Sequence, residues 1–176
     1  MADADQVVAV FPGAFDPITL GHLNIVHRAS RLFDRLIVAV GHNPEKQAWF
    51  SVEERVSMVR EAITGLANVE IQSYDGLTMD YVRRVRARVL VRGIRDAVDL
   101  REELQIANLN QSVGGVETVF LMTDDQHVLT SSTLIKQIVD MGGFDESRLL
   151  RLVPPVVVER VAHKLGLESR KGRRAR

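Results

Sequence analysis

The run Leu36-Ile37-Val38-Ala39-Val40 limits the architecture more sharply than any other stretch of the chain. Five apolar residues in succession, three of them β-branched, suit a short strand, and with no polar alternation that strand must be covered on both faces. Val89-Leu90-Val91 repeats the pattern. Strands of this kind belong to parallel sheets, whose crossover helices lie on both sides. Further candidate strands are Val7–Phe11, Val69–Ser73 and Thr118–Met122, with Val89 running on to Arg92. Between them, helical patterns occupy 21–33, 51–64, 78–86, 99–112 and 131–141, and a last helix over 156–166 follows Pro154-Pro155. The second helix is the clearest: Ser51 and Glu54 form a capping box, followed by Val52, Val56, Val59 and Ile63 at helical spacing.

Alternation of this type predicts an α/β fold, a single doubly wound Rossmann-like domain with a five-stranded parallel sheet and C-terminal helices. The domain is expected over 1–167, with a basic, disordered tail over 168–176. Arg170, Lys171, Arg173, Arg174 and Arg176 carry the tail's charge. Setting these five aside leaves 18 Lys and Arg against 23 Asp and Glu, so the body is acidic although the whole chain is neutral. An acidic body argues against nucleic acid as a partner, since that surface must be basic. The absence of cysteine excludes disulfides and thiolate metal sites. The acidic N-terminus lacks the pattern of a signal peptide, and no apolar run reaches membrane-spanning length. A cytoplasmic location and no membrane partner are the expectations.

In open parallel sheets ligands bind beyond the carboxyl ends of the strands. The segment leaving the first strand, Phe11-Pro12-Gly13-Ala14-Phe15-Asp16-Pro17-Ile18-Thr19-Leu20-Gly21-His22, turns through Gly13 and Pro17 and brings His22 to a helix start. Free N–H groups and the positive dipole end there are expected to receive phosphate. His22, rather than Lys then Ser or Thr, follows Gly21, so this is no Walker loop. Two further histidines, His42 and His127, fall on rim loops and are candidates for nucleotide contact, whereas His27 is expected to be structural.

Thr19-Leu20-Gly21-His22 resembles the (H/T)-x-G-H signature of the nucleotidylyltransferase superfamily. The wider segment is similar to the opening P-G-(S/T)-F-D-P-(I/V)-T-x-G-H of the phosphopantetheine adenylyltransferases and departs from it at Ala14. Asn43-Pro44-Glu45-Lys46, Phe50 to Arg55, Val91 to Arg95, Asp99 to Gln105 and Thr130 to Lys136 resemble further motifs of that family, from about Val7 to Leu165. The resemblance implies transfer of AMP from ATP to 4′-phosphopantetheine in coenzyme A biosynthesis, with Mg²⁺ accompanying ATP and a hexameric homo-oligomer. It makes His22, Lys46 and Arg92 the catalytic set. Ala14, Lys46, Thr78 and Arg92 fall to the acceptor. ATP falls to Ala14, Phe15, His22, Gly93, Ile94, Arg95, Glu103, His127, Val128, Leu129, Thr130, Ser131, Ser132 and Thr133. No protein ligand to the metal is implied.

A phosphate monoester, with its second pKa near about 6, is already largely ionised at neutral pH and needs no strong general base. The reaction asks for positioning and for donors to the charge that spreads in the transition state. Besides Ala14, the sequence departs from the family at Thr78, where relatives often carry a larger apolar residue, and at His127-Val128-Leu129-Thr130. Another nucleotidylyltransferase with a different phosphorylated acceptor, and a non-catalytic nucleotide-binding module, remain open on the sequence.

Overall fold

A computed structural model gives the structure, which describes residues 6–42, 47–124, 126 and 130–167. Five strands are described: β1 (Val8–Gly13), β2 (Arg35–His42), β3 (Val69–Asp75), β4 (Val89–Ile94) and β5 (Glu117–Met122). They form one parallel sheet in the order β3-β2-β1-β4-β5. The helices are α1 (Leu20–Ala29), α2 (Val52–Ala62), α3 (Thr78–Arg84), α4 (Ala97–Gly114), α5 (Ser132–Asp140), α6 (Glu146–Leu149) and α7 (Pro155–Lys164).

Alternation along the strands divides the core into two layers. Ala9, Phe11, Leu36, Val38, Val40 and Val91 face the side covered by α1, α2, α5 and α7. Val10, Ile37, Ala39 and Leu90 face Tyr81 and Val82 of α3, beside Val116. Burying the side chains of Leu36 to Val40 on both faces contributes roughly 1.5–3 kcal/mol for each large aliphatic residue. Both faces of that run are closed, as its sequence requires.

The sheet parts where its order reverses. β1 pairs with β2 from Val8 to Gly13, but it meets β4 only at Ala9 and Val10. Beyond Val10 the two central strands diverge, and a crevice opens at their carboxyl ends, where parallel sheets of this type receive ligands. The same divergence explains why β1 runs two residues past its expected end at Phe11: Pro12 keeps its register with Ala39, on the side where pairing continues.

Other boundaries move for local reasons. Helix α1 ends at Ala29, short of the expected 33, with Ser30 as its C-cap. Helix α4 starts at Ala97 rather than 99 because the Asp96 side chain accepts from the N–H groups of Val98 and Asp99. Ser131, expected to open the fifth helix, is its N-cap. The short α6 was not expected from the sequence. The basic tail lies outside the described residues.

Candidate active site

The crevice between β1 and β4 is a cleft of about 280 Å³. Its walls include Gly13 and Phe15 from the turn after β1, His22 from α1, Arg92 and Gly93 from β4, Arg95, and Thr130 to Thr133 at the start of α5. Residues far apart in sequence therefore share one cavity, and it lies at the carboxyl rim of the sheet.

His22 is fixed on several sides. Thr19 is the N-cap of α1, and its hydroxyl accepts from the His22 N–H at 3.3 Å. The imidazole takes the place that a glutamate holds in an ordinary capping box: its Nδ1 accepts the Thr19 backbone N–H at 3.1 Å. A backbone N–H can only donate, so Nδ1 carries no proton and the neutral ring bears its hydrogen on Nε2. Burial, followed by the charges of Arg95 and Arg92, lowers the pKa of His22 to about 4. The ring is neutral at physiological pH and offers one N–H donor (the other nitrogen being held by the cap). Phe15 packs edge-on against it with centroids 5.1 Å apart. Phe15 holds this position at φ 47°, a conformation that L-residues adopt at a cost. Gly13 makes room for its ring, since a Cβ at that position would come within 2.9 Å of Phe15.

The two arginines are pre-arranged by carboxylates from one helix. The Arg92 guanidinium forks onto Glu103, with Nε donating at 2.7 Å and Nη2 bonding the second carboxylate oxygen, while Nη1 donates to the Pro12 carbonyl at 3.1 Å. Arg95 grips Asp99 in the same way, at 2.7 and 2.9 Å. That grip holds the Asp99 carboxyl below its ordinary range and raises the Arg95 pKa. Asp99 and Glu103 stand four residues apart, hence on one face of α4. Two cations and two anions thus line the cleft from these elements.

The helix starts facing the cleft are unlike each other. At α1, the Leu20 N–H donates to Leu152 O at 2.9 Å and the Gly21 N–H to the Thr130 hydroxyl at 3.1 Å, while that of His22 is capped by Thr19. The expectation that this helix start offers N–H groups to phosphate is therefore corrected: its own chain has taken them, and the imidazole is what α1 presents. At α5, Ser131 caps the N–H of Leu134 at 3.5 Å. Among the described residues, no protein acceptor meets the N–H of Ser132 or Thr133. The hydroxyls of 131–133 divide as well, because Ser132 donates its proton to Pro17 O at 2.8 Å.

The cytidylyltransferase-like family model matches residues 10–138. A phosphopantetheine adenylyltransferase of Thermosynechococcus vestitus is 49% identical over 138 residues, covering 78% of this chain and 82% of that protein. Another from Levilactobacillus brevis is 46% identical over 161 residues, covering 91% and 98%. The chain belongs to the phosphopantetheine adenylyltransferase family. Among solved structures, a putative nicotinate-nucleotide adenylyltransferase from Vibrio parahaemolyticus superposes with a TM-score of 0.63 at 20% identity, over 89% of this chain and 98% of that one. At that identity the likeness shows the fold alone.

Set against the family's expected contacts, the cleft gathers Phe15, His22, Arg92, Gly93, Arg95, Glu103 and Thr130 to Thr133. Three expected positions stand elsewhere. Ile94 is fully buried in β4, so its side chain faces the core rather than the nucleotide. Ala14 is exposed outside the cleft wall, and its carbonyl is tied to Arg55 at 2.7 Å. Thr78 begins α3, where its hydroxyl meets that of Tyr74 at 2.8 Å, away from the cleft. His42 pairs with Asp75 at 2.9 Å at the end of β2 and does not line the cleft either. Lys46, His127, Val128 and Leu129 lie outside the described residues.

Some residues that shape the site were given no role from sequence. Asp99 orients Arg95, and Thr19 sets the tautomer of His22. Arg55 is buried and donates to the carbonyls of Ala14, Gly41 and Phe50, binding the signature loop to the end of β2 and the approach to α2. The motif Phe50 to Arg55 was the available signal for it, but a helical arginine reads from sequence as a solvated one.

Proposed function

We propose that the chain transfers AMP from ATP to 4′-phosphopantetheine, releasing pyrophosphate and giving dephospho-coenzyme A. An oxygen of the acceptor phosphate bonds to the α-phosphorus of ATP as the bond from that phosphorus to the pyrophosphate oxygen breaks. The observation that carries this reading is the neutral His22, with its single Nε2 donor in one cleft with Arg92, Arg95 and the start of α5. An uncharged donor held by the backbone suits a phosphate whose charge builds only during transfer.

In this reading Arg92 holds the acceptor phosphate, its fork supported by Glu103. Gly93 and Arg95 border the nucleotide, and the α5 start receives the β- and γ-phosphates. Glycine at 93 also lets β4 pack against α1, since a Cβ there would come within 3.1 Å of the Ile25 side chain. The family resemblance adds Lys46 as a cation for both phosphates. Because Arg92 and Arg95 are already matched by Glu103 and Asp99, the triphosphate needs further positive charge. Mg²⁺ accompanying ATP would supply that charge. The cleft carboxylates are engaged by guanidiniums, which fits an ion carried mainly by the phosphates.

A cytoplasmic location is the reading that use of ATP and a role in coenzyme A biosynthesis support. Self-association is supported by α4: none of its 18 residues is buried, and Val98, Leu109 and Val113 are each more than 60% exposed. An apolar strip of that kind marks an interaction surface. The number six rests on the family resemblance, and light scattering of the full chain should return a mass near six chains; a monomer would refute it.

Pyrophosphate release from Mg·ATP, measured with a panel of phosphorylated acceptors, tests the reaction. Turnover with 4′-phosphopantetheine well above that with nicotinamide mononucleotide or glycerol phosphate is expected. Turnover with another acceptor would reassign the substrate, and none with any would leave a binding module.

A further inference from the structure

Asp16 is a buried carboxylate, 5% exposed, that does not itself line the cleft. It joins three segments. One oxygen accepts the Phe50 N–H at 3.0 Å, while the other accepts the Trp49 N–H at 2.9 Å and the Lys136 ammonium at 3.0 Å. Trp49 and Phe50 lead into α2, and Lys136 stands on α5. Lys136 is four residues beyond Ser132, so both side chains leave the same face of α5. Ser132 reaches Pro17 and Lys136 reaches Asp16, which makes two adjacent rungs from one helix face to one turn. Two residues after Pro17 comes Thr19, whose backbone N–H orients His22.

We infer that Asp16 and Lys136 are a positioning pair for adenylyl transfer, setting the span between the His22 imidazole and the phosphate-receiving start of α5. This rests on the function proposed above. The donor at His22 and the groups at 131–133 must meet one triphosphate, so their separation decides how well the α-phosphorus is aligned. Misplacement of reacting groups by a fraction of an ångström to one ångström costs rate more than binding. The Ser132 rung is a single neutral hydrogen bond. The Lys136 rung is charged at both ends and closed on one side by the buried Asp16, so it resists displacement better.

The test is steady-state pyrophosphate release by the full chain, with Lys136→Met, Lys136→Arg and Asp16→Asn compared with wild type well below each protein's melting temperature. Wild-type turnover with 4′-phosphopantetheine checks the underlying function independently. Lys136→Met should lower kcat about 10-fold while the KM for ATP and for the acceptor each change less than about 3-fold. Lys136→Arg should return kcat to within about 3-fold of wild type. The Asp16→Asn, Lys136→Met double variant should be no slower than the slower single variant, as expected when two residues act through one contact. If Asp16→Asn does not fold, the Met and Arg variants decide the matter alone. A Lys136→Met enzyme with unchanged kcat and a lower melting temperature would reduce the pair to a structural contact. A rise in the KM for ATP without loss of kcat would make Lys136 a direct phosphate ligand; either result overturns the inference.

Discussion

Two helices begin at the same cleft, and only one has its N–H groups open to it. The first-turn N–H groups of α1 are closed by Leu152, Thr130 and Thr19, whereas those of Ser132 and Thr133 on α5 meet no acceptor among the described residues. A helix start that leaves N–H groups without acceptors attracts anions through them and the dipole, without discriminating ground state from transition state. Sealing α1 removes that general attraction and leaves one directed donor, Nε2 of His22. On the function proposed above, this difference would separate binding from chemistry: α5 would receive phosphate already charged, and α1 would meet the charge that develops during transfer.

The largest effect should come from removing the directed donor. His22→Ala should lower kcat by about 10²-fold or more, the magnitude associated with loss of one donor to a developing oxyanion. Substrate KM values should change little, because the contact strengthens mainly in the transition state. Steady-state kinetics on purified protein would show it. If kcat survived and KM for ATP rose instead, α1 would be a binding element like α5.

A smaller effect separates the hydroxyls of α5. Ser131→Ala should raise KM for ATP several-fold, since its hydroxyl proton is available to phosphate and its oxygen also caps Leu134, a cap whose loss costs about 1 kcal/mol. Ser132→Ala should perturb KM for ATP less, its proton being committed to Pro17. Equal shifts in KM would show that the Ser132 hydroxyl turns toward the nucleotide when it binds.

The contrast between the helices was only half legible in the sequence. Leu36 to Val40 announced a doubly covered sheet because every residue there is apolar, and His22 was marked by its place after a glycine-bearing turn. Local patterns carry that much. The closure of α1 depends on Thr130, which is 109 positions from Gly21, and on a carbonyl at Leu152; neither contact leaves a trace in local periodicity. The pairing of Arg92 with Glu103 spans β4 and α4, so the two residues read as independent charges until the fold brings them together. Helix α4 begins two residues before the pattern expected from sequence because Asp96 caps Val98 and Asp99, a contact that hydrophobic spacing does not register. Ile94 shows a different limit: its motif does not reveal that strand alternation turns its side chain into the core.

Protonation of His22 should produce the mildest change over the working range of an enzyme. Its folded pKa, lowered to about 4, lies below the ordinary histidine value near about 6.5, so the folded state prefers the neutral ring. The sign follows from linkage: the unfolded chain binds this proton more readily, so the group's contribution to stability is fully present above about 6.5 and is lost as pH falls toward 4. Between pH 6.5 and 8 the imidazole should stay neutral, and kcat should show no ionisation belonging to it. Resonance titration of the ligand-free protein should place the His22 midpoint near 4. A midpoint near that of an ordinary histidine would mean that the ring is solvated and its Nδ1 leaves the Thr19 N–H. The backbone would then no longer dictate which nitrogen carries the proton, and α1 would lose what distinguishes it from α5.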